Sequence, residues 1–324
     1  MRAIRCEKYG PPSDLVLREL PDPEPAPGEV VVRIEGASVN FPDTLFIQNK
    51  YQVSVPVPFT PGSEFVGTVA KVAPDVQSPK VGDHVMGSAM VGAYAEQIAV
   101  PATSVRPVPR GLSGPEAAAF SVTFKTAFHA LVTQGEFEAG NWVVVLGASG
   151  GVGTAAVDIA TRLGGKVIAV DRGDDRLAIC RELGAVATVD FDTEDVKSRI
   201  KEITGNGADV VLDPVGGEVS EQALRSTAWG GRFVVIGFAS GDIPRIPLNL
   251  VLLKGVVIKG FEMRTFPANL PEEYAAGEAR LEEMLADGLK PVVGAVYPLE
   301  ATVEALNAIL DRKIAGKVVI DTSR

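Results

Sequence analysis

The chain has 324 residues, of which 46% are hydrophobic and 22% charged, a composition typical of a globular protein long enough for two domains. Its 31 basic and 41 acidic residues give a formal net charge of −10, which argues against nucleic acid or an anionic membrane as the main partner. No stretch has the length or apolarity of a signal peptide or membrane helix. The two cysteines, Cys6 and Cys180, are far apart, so we expect no disulfide framework and a cytoplasmic location.

Short strands and frequent turns dominate the first hundred residues. The Pro-rich stretch 21–27 predicts an extended connector before a strand at 28–40. Val- and Ile-rich runs such as "EFVGTVAKV" and "AEQIAV" then alternate with turns, which predicts a compact, barrel-like β domain. Ser113 and Glu116 have the spacing of a capping box, so we predict a helix from there to about residue 132.

From residue 142 the pattern changes to strands and helices in alternation. Apolar strands that alternate with helices predict a parallel sheet covered on both faces. A β-rich run at 255–261 and a helix at 271–287 follow, and we expect the tail, with a helix at 300–310, to return to the first domain. The predicted domains are therefore 1–120, 121–262 and a return at 263–324. The alternating strands are predicted at 142–146, 166–170, 187–190, 209–213 and 232–237, and the helices at 151–163, 174–183, 194–203 and 218–228.

The turn after strand 142–146 fits two motifs. Residues 147–151, "GASGG", match the nucleophile elbow of an α/β hydrolase, whereas residues 148–153, "ASGGVG", match a dinucleotide-binding fingerprint with alanine in place of its first glycine. The elbow requires a histidine after Ser149 in the chain. The two histidines of the chain, His84 and His129, both precede it, so the hydrolase interpretation is disfavoured.

The surrounding elements favour the dinucleotide fingerprint. It needs a preceding strand, a following helix and an acidic residue about 20 positions later, and Asp171 is that residue. A side chain at Gly150 would block the pyrophosphate, and one at Gly153 would separate the helix from the strand. Ala148 is compatible with the turn if its φ stays negative. The free N–H groups at the helix N-terminus then favour phosphate binding.

Several longer segments resemble one superfamily. "PGSEFVGTV", "VLGASGGVG", "DVVLDPVGGE" and "GKVVI" resemble the medium-chain dehydrogenases/reductases and, within them, the zinc-independent quinone oxidoreductase branch, over nearly the whole chain. The resemblance implies a GroES-like β-barrel catalytic domain with an inserted Rossmann domain, a doubly wound parallel sheet. It implies an NADPH-dependent reductase of a quinone or an α,β-unsaturated carbonyl. The alternatives are an enoyl-thioester reductase and a nucleotide-binding protein with little turnover.

The resemblance also implies that no zinc is bound. Asn40 stands where zinc alcohol dehydrogenases have a cysteine ligand, and Gly62-Ser63-Glu64 stands where they have Gly-His-Glu. The structural zinc site needs four cysteines, and this chain has two. Without a metal to polarise an alcohol, reduction of an already activated acceptor is the favoured chemistry.

Family positions suggest the remaining site residues. The resemblance implies that Asn40, Asp43 and Tyr51 are catalytic and line the nicotinamide and substrate cleft, with Asn40 and Tyr51 bonding the acceptor oxygen. The structural alternative is that Asn40 ends a strand and Asp43 caps the next turn. We expect His84, in a turn, and His129, in a helix, to be structural.

The fingerprint and the resemblance together imply a cofactor site. Asp171 favours NADH, whereas Arg172, Arg176 and the branch favour NADPH, so NADPH is the expected cofactor and NADH stays open. Thr126 has the alternative of a buried helical threonine, and Lys317 that of a solvated surface lysine. We also expect a homodimer paired through the edge strand 255–261. The predicted cofactor residues are Thr126, Ser149, Gly150, Gly151, Val152, Gly153, Asp171, Arg172, Arg176, Val215, Gly237, Phe238, Ala239 and Lys317.

Overall fold

The computed structural model describes residues 1–323, which form two compact units. The first unit comprises Met1–Val122 and the C-terminal segment from Lys290 onward, and the second comprises Thr123–Leu289. The strands, in chain order, are β1 Arg2–Arg5, β2 Val16–Glu19, β3 Glu29–Val39, β4 Glu64–Val72, β5 His84–Ser88, β6 Gln97–Pro101, β7 Val105–Pro107, β8 Trp142–Leu146, β9 Lys166–Asp171, β10 Ala187–Asp190, β11 Ala208–Asp213, β12 Thr227–Val235, β13 Val257–Gly260, β14 Val293–Pro298 and β15 Lys317–Asp321. The α-helices are α1 Phe41–Phe46, α2 Gly114–Ala118, α3 Ser121–Phe128, α4 Gly151–Arg162, α5 Asp174–Glu182, α6 Val196–Thr204, α7 Gly217–Ser226, α8 Leu248–Lys254, α9 Phe266–Asn269, α10 Pro271–Ala286 and α11 Thr302–Leu310.

A mostly antiparallel sheet forms the first unit. Its strand order is β14-β15-β3-β4-β5-β7, and β6 pairs with the other end of β3. The long strand β3 therefore lies at the centre, with β4, β6 and β15 all paired to it. Its inward side chains, such as Val30, Val32 and Ile34, form the core of this unit, and α11 covers that core with Leu306. The C-terminal segment thus belongs to this unit through both a strand and a helix.

A parallel sheet of order β10-β9-β8-β11-β12-β13 forms the second unit. Each neighbouring pair is parallel, and the central strands carry fully buried runs such as Val143–Leu146 and Val167–Val170. This confirms the doubly wound sheet predicted from the continuous apolar strands, because only a sheet covered on both faces buries every side chain of a strand. The order reverses between β8 and β11, and ligands of such sheets bind at the carboxyl ends of the strands around that point.

Two expectations about the chain path are wrong. The capping box at Ser113 and Glu116 is present, but the helix it begins ends at Ala118. A second helix, α3, follows, and then a π-helical turn at His129–Gln134. The new helix begins because the Glu64 carboxylate accepts the N–H of Val122 at 2.8 Å, a contact between residues 58 apart in the chain.

The second wrong expectation concerns residues 263–289, which belong to the second unit and not to the returning segment. Aromatic packing explains this assignment. The imidazole of His129 lies 4.7 Å from the ring of Phe266 and 5.4 Å from that of Tyr274, measured between centroids. Phe266 in turn packs on Phe261 at 5.0 Å. These contacts hold α9 and α10 against the helical segment that opens the second unit.

Candidate functional site

The glycine-rich turn between β8 and α4 has the geometry that the fingerprint predicts. Gly147 adopts a φ of 60°, a left-handed conformation that favours glycine. A Cβ atom at Gly153 would lie 2.2 Å from the carbonyl oxygen of Gly147, so a side chain there would force the helix away from the turn. At Gly150 a Cβ would meet only that same oxygen, at 3.3 Å. A side chain at Gly153 is therefore excluded by the packing of helix on turn, whereas one at Gly150 would meet only the Gly147 oxygen and would otherwise lie where a ligand needs close approach.

The first turn of α4 supplies the donors for an anion. Gly151, Val152 and Gly153 are the first three residues of this helix, so their N–H groups have no carbonyl acceptor within it. The helix dipole adds a partial positive charge at the same end. Together with the space beside Gly150, this arrangement fits a pyrophosphate, and these residues would hold the phosphates of a dinucleotide.

Asp171 closes β9 and is tied to the glycine-rich turn. Its Oδ2 accepts the backbone N–H of Ser149 at 2.9 Å and the Ser149 hydroxyl at 2.6 Å. Its Oδ1 accepts the N–H of Arg172 at 2.8 Å. The guanidinium of Arg176 donates to the Ser149 Oγ at 2.9 Å and lies 3.4 Å from the Asp171 carboxylate. Three predicted cofactor residues, Ser149, Asp171 and Arg176, thus form one hydrogen-bonded network.

Arg172 points to different partners. Its guanidinium lies 4.8 Å from the centre of the Phe191 ring, a cation–π distance, and 3.3 Å from the carboxylate of Asp192. The side chain is about half exposed. Arg172 therefore contacts the Asp171 carboxylate through its backbone N–H, and its side chain contacts Phe191 and Asp192 instead.

Two loops at the carboxyl edge of the sheet are joined by backbone hydrogen bonds. The buried Asp213 carboxylate accepts the N–H groups of Val215 and Gly216, each at 2.9 Å, and so shapes the loop after β11. The loop after β12 bonds to it through the Ala239 N–H, which donates to the Pro214 carbonyl at 3.0 Å. Together, the two loops contain four of the predicted cofactor residues, namely Val215, Gly237, Phe238 and Ala239.

In the first unit, Asp43 is the centre of a buried polar cluster. Asp43 is 1% exposed and accepts three hydrogen bonds: the Asn40 N–H at 2.8 Å, the Ser63 hydroxyl at 3.0 Å and the Tyr94 hydroxyl at 2.7 Å. Asp43 also caps the start of α1 by accepting the Asn40 N–H, as the structural alternative supposed for Asp43, whereas the strand before it ends at Val39 and not at Asn40. The hydrogen bond from the Asn40 N–H to Asp43 therefore belongs both to the cap of α1 and to the polar cluster.

Lys317 completes this cluster and is not a surface residue. It is 4% exposed, and its ammonium donates to the Asn40 Oδ1 at 2.6 Å and to the Val39 carbonyl at 3.1 Å. The Glu64 carboxylate lies 3.9 Å from the same ammonium. The Nδ2 of Asn40 donates to Glu64 at 3.3 Å and to the Ser63 Oγ at 3.4 Å. The carboxamide of Asn40 is thus oriented with its oxygen toward the cation.

Burial perturbs every ionisable group in the cluster. It raises the pKa of the Asp43 and Glu64 carboxyls, and the charge of Lys317 opposes that rise for both. Burial also raises the pKa of Tyr94 well above its usual value, and the Asp43 charge adds to this rise. The pKa of Lys317 is lowered by burial, against the attraction of Glu64 and Asp43. Two carboxyls share one ammonium, so each depends on that ammonium to remain ionised.

Sequence reasoning missed Tyr94 and the role of Glu64. Glu64 left a signal, because a carboxylate at the start of the apolar strand "EFVGTV" must find a partner once it is buried. Tyr94 left none, since its contact with Asp43 spans 51 residues. Both were found only when the fold brought β4 and the segment before β6 next to α1.

Tyr51 and Thr126 are the remaining predicted site residues. Tyr51 is half-buried, and its ring packs on Phe46 with the centroids 4.5 Å apart. Thr126 lies in α3 and is 7% exposed. Its burial within a helix agrees with the structural alternative for this threonine.

The histidines and cysteines have structural environments. His129 is fully buried among aromatic rings, as expected, and burial lowers its pKa to about 4. His84 was predicted in a turn but begins β5, where its Nε2 lies 3.1 Å from Glu35. Cys6 and Cys180 are both buried, and each has a free thiol. Within residues 1–323, no cluster of three or more His, Cys, Asp or Glu side chains has the arrangement of a metal site.

Comparisons with known proteins match both units. Residues 26–110 match the family model described as "Alcohol dehydrogenase GroES-like domain", and residues 151–282 match that described as "Zinc-binding dehydrogenase". A quinone oxidoreductase-like protein 2 homolog from Nematostella vectensis is 36% identical over 100% of this chain and 89% of its own length.

Solved structures are similar over the same length. The quinone oxidoreductase from Thermus thermophilus, solved alone and with NADPH, has a TM-score of 0.85 and 35% identity, over 99% of this chain and all of its own. An NAD-dependent alcohol dehydrogenase has a TM-score of 0.91 and 31% identity, over 100% of both chains.

The fold, the phosphate-binding turn and these matches define a nicotinamide-dependent oxidoreductase of two domains. The chain belongs to the quinone oxidoreductase branch of the medium-chain dehydrogenase/reductase superfamily. No helix within residues 1–323 is long and apolar enough to cross a membrane.

Proposed function

We propose that this chain is an NADPH-dependent reductase that transfers a hydride to a quinone or to another α,β-unsaturated carbonyl compound. The observation that carries the proposal is the turn 147–153, where Gly153 is required by packing and the first N–H groups of α4 have no acceptor within the helix. The Thermus relative supports NADPH as the cofactor. When bound, the nicotinamide supplies the hydride from its C4 atom, and the chain holds and orients the reactants.

We further propose that the reaction needs no zinc. The two side chains at the zinc-ligand positions are already engaged, Asn40 with Lys317 and Ser63 with Asp43. The Lys317 ammonium is the cation of this cluster and would repel a second one. The acceptor must then carry its own electron sink, and the carbonyl of a quinone or enone is such a group. Metal analysis of the purified protein tests this, and stoichiometric zinc whose removal abolishes turnover would refute it.

Asn40 is the residue of the cluster best suited to bind an acceptor oxygen. Its Oδ1 is held by a short bond from Lys317, at 2.6 Å, whereas its Nδ2 donates two long bonds, at 3.3 and 3.4 Å. Long hydrogen bonds are weak, so an N–H of this group can pass to a better acceptor at low cost while the bond from Lys317 to Oδ1 keeps the carboxamide in place. A developing enolate or hydroquinone oxygen is a better acceptor because it carries negative charge.

Turnover with an acceptor panel tests the function. We expect oxidation of NADPH with 1,4-benzoquinone, 9,10-phenanthrenequinone or simple enones. Faster turnover with acryloyl-CoA than with these acceptors would instead indicate the alternative, an enoyl-thioester reductase. Tight NADPH binding without turnover on any acceptor would identify a nucleotide-binding protein and refute the enzyme. Asn40→Asp is expected to lower kcat by about a hundredfold to a thousandfold, the range that the loss of one oxyanion donor produces.

Tyr51 is proposed as a second donor to the acceptor oxygen. Its half-buried position against Phe46 leaves part of the side chain accessible. Tyr51→Phe keeps the ring packing and removes only the hydroxyl, so a fall in kcat at unchanged thermal stability would support the role. An unchanged kcat would remove Tyr51 from the mechanism.

We propose a homodimer formed through β13. This strand lies at the edge of the parallel sheet and pairs only with β12 in the described part of the chain. Val257 and Ile258 on it are 41% and 39% exposed, and the preceding helix α8 exposes Leu252 at 81% and Leu253 at 71%. An exposed apolar edge strand promotes aggregation unless another strand pairs with it. In a twofold-symmetric dimer, β13 of a second copy would pair with this edge and leave no further edge exposed there.

Light scattering tests the dimer. We expect a dimeric mass at micromolar concentration and a monomeric mass for Ile258→Lys. Val81→Lys is the control, because Val81 is also exposed, at 64%, but lies in the first unit. A monomeric wild-type protein would refute the proposal.

A further inference from the structure

The buried ammonium of Lys317 gives its shortest hydrogen bond to an uncharged group. It donates to the Asn40 Oδ1 at 2.6 Å and to the Val39 carbonyl at 3.1 Å, whereas the Glu64 carboxylate lies 3.9 Å away. A buried cation is ordinarily stabilised by direct contact with an anion, because removing it from water is costly. The charge of Lys317 is directed instead at the carboxamide of Asn40, which is itself 5% exposed.

The carboxamide of Asn40 lies between a cation and an anion. An ammonium can only donate hydrogen bonds, so the end of the carboxamide that faces Lys317 must be its oxygen. The opposite end, Nδ2, donates to the Glu64 Oε2 at 3.3 Å. Glu64 is itself held in place, because its Oε1 accepts the Val122 N–H at 2.8 Å. The two charges therefore fix the orientation of the amide and keep its NH2 group as the donor end.

The same arrangement polarises the amide of Asn40. A cationic donor on the carbonyl oxygen draws electron density from the amide nitrogen, and hydrogen bonds in such a chain strengthen one another. The N–H groups of Nδ2 thereby become better donors for an oxygen that gains negative charge. The present contacts of Nδ2 with Glu64 and Ser63 are long, at 3.3 and 3.4 Å, so they compete only weakly with such an oxygen.

We propose that Lys317 is a positioning residue for hydride transfer, which orients and polarises the Asn40 carboxamide so that Nδ2 stabilises the oxyanion formed on the acceptor. When an enone accepts the hydride of NADPH at its β-carbon, the displaced π-electron pair moves to the carbonyl oxygen and NADP⁺ is left. The enolate then takes a proton from solvent. The inference rests on the proposed function, because it requires Asn40 to bind that oxygen.

A double-mutant cycle on kcat tests the route through Asn40. We expect Lys317→Met to lower kcat about tenfold and to leave the KM for NADPH within about twofold, since it weakens one oxyanion donor without removing it. In an Asn40→Ala background no carboxamide remains to be polarised, so the same change should lower kcat by less than about twofold. Lys313→Met, at a nearby exposed lysine, is the control and should change neither constant. Equal losses in the two backgrounds would overturn the proposal.

The double variant Lys317→Met/Glu64→Gln separates positioning from stability. It removes the carboxylate together with its cation, so we expect it to unfold at a higher temperature than Lys317→Met alone. Its kcat, measured well below both unfolding transitions, should nevertheless stay low because no cation faces the Asn40 oxygen. A kcat that recovers together with Tm would show that Lys317 only stabilises the fold and would overturn the proposal.

A spectroscopic measurement detects the polarisation without turnover. In protein labelled with ¹⁵N at asparagine, the side-chain resonances of Asn40 are those that Asn40→Ala removes. An ammonium bonded to the amide oxygen deshields the amide nitrogen, so these resonances should move upfield in Lys317→Met and stay in place in Lys313→Met. Unmoved resonances in Lys317→Met would refute the inference while any turnover still supports the proposed function. A protein that shows the shift but reduces no acceptor would refute the proposed function and, with it, the catalytic use of this contact.

Discussion

Replacing the buried Lys317 by methionine tests the electrostatics of the polar cluster. The ammonium is 4% exposed, donates to Asn40 and faces Glu64 at 3.9 Å. Its removal leaves the Asp43 and Glu64 carboxyls buried without a cation. Loss of one partner from a buried ionic group costs about 3–5 kcal/mol. For a unit of this size, 1 kcal/mol corresponds to about 2–4 °C in Tm, so we expect Lys317→Met to lower Tm by about 10 °C at pH 8.

The loss should depend on pH with a defined sign. Lys317 opposes the rise in pKa that burial imposes on Asp43 and Glu64, so both values rise further in the variant. A carboxyl with a pKa raised by folding binds more protons in the folded state than in the unfolded state. Its contribution to stability is therefore present below the unfolded pKa and is lost as the pH rises through the folded pKa. We expect the difference in Tm between wild type and variant to shrink as the pH falls from 8 toward 5.

Thermal unfolding followed by circular dichroism at several pH values is the assay. Lys313→Met is the control, because Lys313 is exposed and pairs with the nearby Asp311. The double variant Lys317→Met/Glu64→Gln removes the surplus carboxylate and should recover part of the lost Tm. A Lys317→Met protein within about 2 °C of wild type at pH 8, or a loss that grows as the pH falls, would refute the reasoning.

Three further predictions follow from packing. Gly153→Ala should weaken NADPH binding by at least about tenfold, because its Cβ meets the Gly147 oxygen at 2.2 Å, whereas Gly114→Ala, with open space around it, should not; equal affinities would contradict this. Gly277→Ala should lower the free energy of unfolding by about 1–3 kcal/mol, because its Cβ would lie 2.2 Å from the imidazole of His129. An unchanged midpoint of chemical unfolding would show that α10 can move away from the His129–Gln134 turn without cost. Cys180 should react with a thiol reagent only on unfolding, because it is fully buried and burial raises the pKa of its thiol to about 12; rapid labelling of the native protein would exclude that burial.

Local sequence determined the second unit in most detail. Strand β8 and strand β10 have the predicted bounds, and α4 ends one residue before its prediction, because buried strands and capped helices are encoded by neighbouring residues. The phosphate turn is equally local, since Gly147 and Gly153 meet within seven residues of chain. The motif could therefore be identified before the fold was known.

The sequence by itself determined the fold class, the family and the place of the phosphate turn. Only the tertiary structure decided that Lys317 is buried against Asn40, 277 residues away, and that Asp171 is engaged by Ser149 and Arg176. The physical reason is the range of the interactions. Periodicity and turn chemistry act over a few residues, whereas the partner of a buried charge is chosen by which strands and helices the core brings together. A lysine or an aspartate looks alike in sequence whether it faces solvent, a ribose or another side chain.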